Sequence, residues 1–216
     1  MTTLADRLKW FSDLGYGYLP TDVPEPYGYE YWIKYHEYKK SPIAEKLMKA
    51  RVELVEKHTP RETVLDIGIG SGHFIEKRAQ MVGPLPSQPS TQRLTCGYDV
   101  NPHAITWLIA RQLWWDPWAR DPDVLTFWDS LEHMQRPHDL IARVRSTIFV
   151  SLPIFRDREH VLVSKHFKPG EHLWYFTRDG FVRHMKRLGF ALAEENQMES
   201  DLGREEIGTF VFKRRA

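Results

Sequence analysis

Asp129, Glu132 and His133 stand together in WDSLEH (128–133) at spacing i, i+3, i+4. If the chain turns helically there, all three share one face, with Cβ atoms about 5–6 Å apart. Two carboxylates and an imidazole so placed can share one divalent cation, and the carboxylates favour a hard ion such as Mg²⁺ or Mn²⁺. Without a metal, His133 offers a general base for a hydroxyl, with Glu132 orienting it. The plainer reading is a histidine that only hydrogen-bonds backbone at the start of a helix. A second group is VLDIGIGSG (64–72), where Asp66 comes two residues before Gly68, Gly70 and Gly72. Glycines in this pattern let the backbone turn tightly and approach a ligand, and the helix that follows offers free N–H groups. A dinucleotide loop would place its last glycine where this chain has His73, and a phosphate loop would need a lysine that is absent. A third candidate is Asp99 in CGYDVNP.

These residues need a scaffold, and the pattern along the chain predicts one. Strands are expected at 63–67, 94–99, 124–128 and 147–152, alternating with helices from 73, over 101–114 and over 137–144. A breaker-rich loop, GPLPSQPST (83–91), separates the first helix from the second strand. A further helix, capped by Thr177 and ended by Gly189, precedes two strands at 190–195 and 208–213 that lack an intervening helix. The expected fold is α/β: a doubly wound, mostly parallel sheet closed by a C-terminal antiparallel hairpin. In such a sheet ligands lie beyond the carboxyl ends of the strands, where the glycine loop and Asp99 fall. Ser41-Pro42 begins a helix ahead of the first strand. Residues 1–40, rich in Tyr, Gly and Pro, read as an aromatic arm or cap on a main domain of 41–216.

The acid ahead of G-x-G-x-G, with a second acid ending the next strand, resembles the first motifs of class I S-adenosylmethionine-dependent methyltransferases. The resemblance implies that Asp66 holds the cofactor's amino group and that the backbone at Gly68, Gly70 and Gly72 faces its amino-acid and ribose parts. It implies that Asp99, with Val100 beside it, takes the ribose hydroxyls. Trp128 and Asp129 then border the cofactor at the end of the fourth strand. DPDVLTFWDSLEHMQRPHDLIARV (121–144), FVSLPIF (149–155) and EHLWYFTRDGFVRHMKRLGF (171–190) further resemble the ubiquinone-biosynthesis O-methyltransferase type, methyltransferase type 11/12-like. That likeness puts Glu132 and His133 beside the methyl group. Similar acid-x-x-Glu-His sets in that type and in small-RNA 3′-end 2′-O-methyltransferases hold a metal, completed by a later histidine. Here that histidine is expected to be His166, or with less reason His172.

One departure stands out. Asp123 follows Asp99 by only 24 residues, where the resembling enzymes fit a further strand and helix. The edge strand between Asp99 and Val124 is therefore expected to be missing or vestigial, with the helix from 101 running nearly to Trp115. Trp114, Trp115 and Trp118 would either replace the lost adenine pocket or simply cover a shortened sheet. Cytosine C5 methylation, which needs a nucleophilic cysteine after the fourth strand, is excluded, since the single Cys96 lies at the second strand on the wrong side of the sheet. DSLE (129–132) does not match the tetrad of DNA amino-methyltransferases.

The net charge of +1 excludes a globally basic nucleic-acid binder. The segment 133–190 nevertheless holds 11 Lys and Arg against five Asp and Glu, together with six of the ten histidines. That bias is either a solvated basic face or a seat for an anionic acceptor such as a nucleotide or RNA end. A lone cysteine, no signal-peptide pattern and no long apolar run predict a cytoplasmic protein without membrane association. The function expected is O-methylation of a small molecule, nucleotide or sugar hydroxyl, with S-adenosylmethionine as cofactor. The alternatives are a catalytically silent binding protein of the same fold and an RNA-end 2′-O-methyltransferase.

Overall fold

The computed structural model describes residues 4–20, 27–83 and 94–215. Its elements in chain order begin with α1 (Leu4–Arg7), β1 (Lys9–Phe11), β2 (Tyr16–Tyr18), α2 (Tyr29–Tyr38) and α3 (Pro42–His58). The middle of the chain carries β3 (Val64–Ile67), α4 (His73–Val82), β4 (Thr95–Tyr98), α5 (Pro102–Ala110) and β5 (Val124–Trp128). A single 3-10 turn (Leu131–His133), α6 (Pro137–Arg143), β6 (Thr147–Phe155) and α7 (Arg158–Val163) follow. The chain closes with β7 (Trp174–Thr177), α8 (Arg178–Arg187), β8 (Phe190–Asn196), α9 (Met198–Asp201) and β9 (Ile207–Arg214). Together they make a mixed α/β sheet with mostly parallel strands, as the sequence predicts. The loop expected over 83–91 lies, Gly83 apart, outside the described residues.

Two compact units share the chain: Pro26–Trp128 with Arg143–Phe149, and Met1–Glu25 with Asp129–Ala142 and Val150–Ala216. In the first, β5, β3 and β4 run parallel with β3 in the middle, Asp66 in register with Thr126 and Gly97. Every residue of β3 and β5 is buried, which explains their unbroken apolar runs. Side-chain caps set the helix starts: Ser41 Oγ accepts from Ala44 N at 3.2 Å and Asn101 Oδ1 from His103 N at 2.9 Å. Fully buried Arg78 on α4 donates to Glu56 Oε1 at 2.8 Å, Glu62 O at 2.8 Å and Thr95 Oγ1 at 3.1 Å. Its charge is therefore paired, as burial requires.

The edge beyond β4 is vestigial, as expected. One parallel bridge joins Gly97 to Trp114, with Gly97 N donating to Leu113 O at 2.8 Å and Trp115 N to Gly97 O at 3.1 Å. The helix before it is shorter than expected. It stops at Ala110, and Gln112 adopts φ 56°. That left-handed turn is incompatible with continuing the helix, and it swings 113–115 back along β4.

In the second unit β1, β2, β7 and the later part of β6 lie side by side, β1–β2 and β2–β7 antiparallel and β6–β7 parallel. The expected hairpin is present as β8 and β9, with a register shift between Leu192 and Glu194, but its connection is not the helix-free loop expected: the one-turn helix α9 interrupts it. Among the described residues of 1–40 there is more regular structure than the composition predicts. They contain the β1–β2 hairpin, turned at Gly15 with φ 72°, and the ten-residue helix α2. Strand β7 was likewise not legible, because four residues flanked by a loop and a helix cap show no usable period. Among the described residues no helix is long and apolar enough to cross a membrane.

Candidate cofactor and acceptor sites

Asp66 is the third residue of β3 and is only 2% exposed. Thr126 on β5 donates its hydroxyl to Asp66 Oδ1 at 2.7 Å. Burial pushes the carboxyl pKa up to about 7, against that hydrogen bond and the nearby Arg51. Gly68, Gly70 and Gly72 have φ of 74°, 54° and 73°, left-handed values that side chains resist. A Cβ on Gly72 would lie 2.5 Å from the Trp107 ring, and one on Gly70 would lie 3.3 Å from Tyr35. Asp99, one residue past β4, accepts from Asn101 N at 2.8 Å and from the N–H groups of Val100, Ile69 and Gly70. Burial still pushes it up to about 6. Val100 itself is exposed. Trp128, ending β5, is buried with the Arg51 guanidinium 4.8 Å over its ring, and among the described residues its indole N–H has no acceptor.

The second set lies just after β5. Asp129 takes φ 58°, and the 3-10 turn then carries Glu132 and His133. Glu132 is 1% exposed, and among the described residues neither carboxylate oxygen has a hydrogen-bond partner. His172 is 4% exposed, and its Nδ1 likewise has no hydrogen-bond partner among the described residues. One donor atom from each of Glu132, His133 and His172 lies within 4.8 Å of the others. The two imidazole rings meet edge-on with centroids 4.7 Å apart. Leu173 N, just ahead of β7, donates to Glu132 O at 2.8 Å, and Trp174 Nε1 to Met134 O at 2.8 Å, so the entry to β7 holds the turn. Burial, with Asp129 adding, pushes the Glu132 carboxyl up to about 8. Burial, then His133, takes His172 down to about 2, and burial lowers His133 as well.

Comparison with known proteins decides the family. A family model described as a methyltransferase domain matches residues 35–195. The chain belongs to that methyltransferase family. It is S-adenosylmethionine-dependent and of class I. Among solved structures it resembles magnesium protoporphyrin IX methyltransferase from Synechocystis with bound S-adenosylhomocysteine: TM-score 0.61, 12% identity, 89% of this chain and 98% of the other. It also resembles the complex between the Haloferax volcanii Trm112 methyltransferase activator and a methyltransferase, with TM-score 0.63, 12% identity and coverage of 90% and 98%. A third likeness is an S-adenosylmethionine-dependent methyltransferase from Archaeoglobus fulgidus, with TM-score 0.55, 16% identity and coverage of 85% and 100%. At these identities the likeness is one of fold. No curated protein matches the chain.

Within this methyltransferase, geometry sorts the residues named from sequence. Asp66, the three glycines, Asp99 and Trp128 fall in one unit, with the loop tied to Asp99 by N–H donors. Glycine cradle, two carboxyls and the unmatched Trp128 N–H suit a ligand with an ammonium, hydroxyls and acceptor atoms. Glu132 and His133 fall in the other unit. The histidine brought to them is His172; His166 is turned away, its Nε2 donating to Glu205 O at 3.0 Å. Asp129 is also turned aside: its carboxylate forms a two-pronged ion pair with Arg204 at 2.8 and 2.9 Å, and Arg204 pairs again with fully buried Glu199. The i, i+3, i+4 argument assumes a helix from 129, whereas the left-handed residue there delays the turn until 131. Arg204 left no sequence signal; it sits in an ordinary polar loop. Trp114 rests on Tyr98 and Trp115 under Arg120, each with its own neighbour.

Proposed function

We propose that this methyltransferase modifies a hydroxyl oxygen of a small molecule, nucleotide or sugar, and that Glu132, His133 and His172 hold a divalent cation against that hydroxyl. The observation that supports this reading is the convergence of one donor atom each from Glu132, His133 and His172, where the buried Glu132 oxygens and His172 Nδ1 have no hydrogen-bond partner among the described residues. Leaving such groups bare costs several kcal/mol, and a cation offsets that cost. Two imidazoles with one carboxylate favour Mn²⁺ over the Mg²⁺ that an all-carboxylate set would prefer. Such a cation, when bound, lowers the pKa of a hydroxyl it touches. Where no cation is bound, His133, its pKa lowered by burial, is instead the group placed to take the hydroxyl proton.

On the cofactor side, bound S-adenosylmethionine supplies an electrophilic methyl group. Asp66 would hold its ammonium, Asp99 its ribose hydroxyls, and Trp128 Nε1 would donate to one of its acceptor atoms. The basic excess over 133–190 favours an anionic acceptor, which predicts affinity falling with added salt. The deciding experiment is turnover of a labelled-cofactor reaction on cell extract in excess chelator, with Mn²⁺ or Mg²⁺ added back, beside Glu132→Gln. Activity indifferent to chelator removes the metal and leaves His133 as the base. An absence of cofactor binding by calorimetry would instead favour a silent binding protein.

A further inference from the structure

Helix α2 crosses both ends of the candidate cofactor loop. At its start Gly28 O accepts from Asn101 Nδ2 at 3.2 Å, two residues past Asp99. At its end Lys39 pairs with Glu76 on α4, the helix that follows the glycines. Between these ties Tyr31, Trp32, Tyr35, His36 and Lys39 form the less exposed face, at helical spacing. Trp32 packs against the buried cluster that Ile69, Ile75, Ala104 and Leu108 form. Tyr35 meets Gly70: its Cδ1, Cγ and Cε1 lie 3.3, 3.6 and 3.8 Å from where a Cβ would stand. Tyr31 donates its hydroxyl to the Tyr35 hydroxyl at 3.1 Å, with ring centroids 4.8 Å apart. The Tyr35 ring therefore lies against Gly70, a residue whose backbone N–H donates to Asp99, and Tyr31 holds Tyr35 from its own helix.

We propose that Tyr35, braced by Tyr31, is an aromatic wall of the cofactor site that recognises the positive sulfonium. The proposal rests on the cofactor reading above. In S-adenosylmethionine the sulfonium links the amino-acid part to the ribose. A cofactor whose ammonium is at Asp66 and whose ribose is at Asp99 carries it across the loop's middle. Aromatic faces attract such cations, and the attraction strengthens when water is excluded. The product S-adenosylhomocysteine has the same ammonium and ribose but a neutral thioether. The wall therefore gives the protein a preference for cofactor over product.

Calorimetric titration of the full chain with each of the two compounds tests this. Tyr35→Leu is expected to lose on the order of ten-fold in affinity for S-adenosylmethionine and little for S-adenosylhomocysteine. Tyr35→Phe keeps the ring and the preference. Asp66→Asn, by contrast, weakens both compounds alike, because both carry the ammonium. Equal losses for the two compounds in Tyr35→Leu, or none, overturn the aromatic wall while leaving the cofactor site in place. A wild-type chain that binds neither compound overturns the cofactor reading itself and the wall with it. Should Tyr35→Leu not fold, Tyr35→Gln on the same half-exposed helix face carries the same comparison.

Discussion

Cofactor affinity is expected to follow a bell-shaped pH profile whose acid limb belongs to Asp66. Its carboxyl pKa is pushed up to about 7 by burial. The cofactor's ammonium is attracted to the carboxylate and not to the acid. That ammonium has an ordinary α-amino pKa of about 7.7–8.0, so both charges coexist best near about pH 7.4. At about pH 6 Asp66 is roughly one-tenth ionised, and the dissociation constant should be roughly six-fold higher than at the optimum. Asp99, at about 6, adds a smaller loss on the same limb. Asp66→Asn keeps the shape and removes the charge. It should lower affinity at the optimum about ten-fold or more, since a hydrogen bond to a charged group contributes about 1.5–3 kcal/mol. What remains of its acid limb is the Asp99 part. Thr126→Val removes the hydroxyl that stabilises the carboxylate and should move the limb up by about one unit, equivalent to about 1.4 kcal/mol. Isothermal calorimetry at fixed ionic strength reads all three proteins. A wild-type affinity flat from about pH 6 to 7.4, or an acid limb unchanged in Asp66→Asn, would refute the assignment.

Glu132, whose folded pKa lies near 8, binds an extra proton in the folded state between its ordinary range and 8, so its contribution to stability falls as pH rises through that window. In chelator, Glu132→Gln should therefore melt above wild type at about pH 8.5 and converge with it near about pH 4.5; coincident melting curves at both would contradict the buried bare carboxylate. Arg204→Met removes the guanidinium shared by Asp129 and fully buried Glu199, and should cost about 3–5 kcal/mol in urea unfolding, part of it recovered by adding Glu199→Gln. Gly72→Ala combines φ 73° with a Cβ 2.5 Å from Trp107 and should destabilise by more than about 1 kcal/mol, with Trp107→Ala relieving the steric part. A stable Gly72→Ala would show that the loop relaxes more easily than its packing implies.

Local chemistry written into consecutive residues was legible without coordinates. Asp66 with its alternate glycines, the caps at Ser41, Asn101 and Thr177, and the apolar runs of β3 and β5 each depend on neighbours within a few positions. The shortage of residues between Asp99 and Asp123 likewise announced the vestigial edge, because a strand and helix need length that is not there. The histidine that joins Glu132 and His133, and the partner of Asp129, depended on contacts remote along the chain. Whether His166 or His172 reaches Glu132 is settled where the entry to β7 hydrogen-bonds the 3-10 turn, through Leu173 N and Trp174 Nε1. Asp129 goes to Arg204 because one left-handed residue redirects its side chain, and a 75-residue separation leaves no trace in local pattern. Tyr35 read only as one of many tyrosines in an aromatic arm; its place against Gly70 comes from the packing of α2, held at Asn101 and Glu76. Short-range sterics and hydrogen bonds decide the loop, whereas packing between segments distant in sequence decides which side chains complete each site.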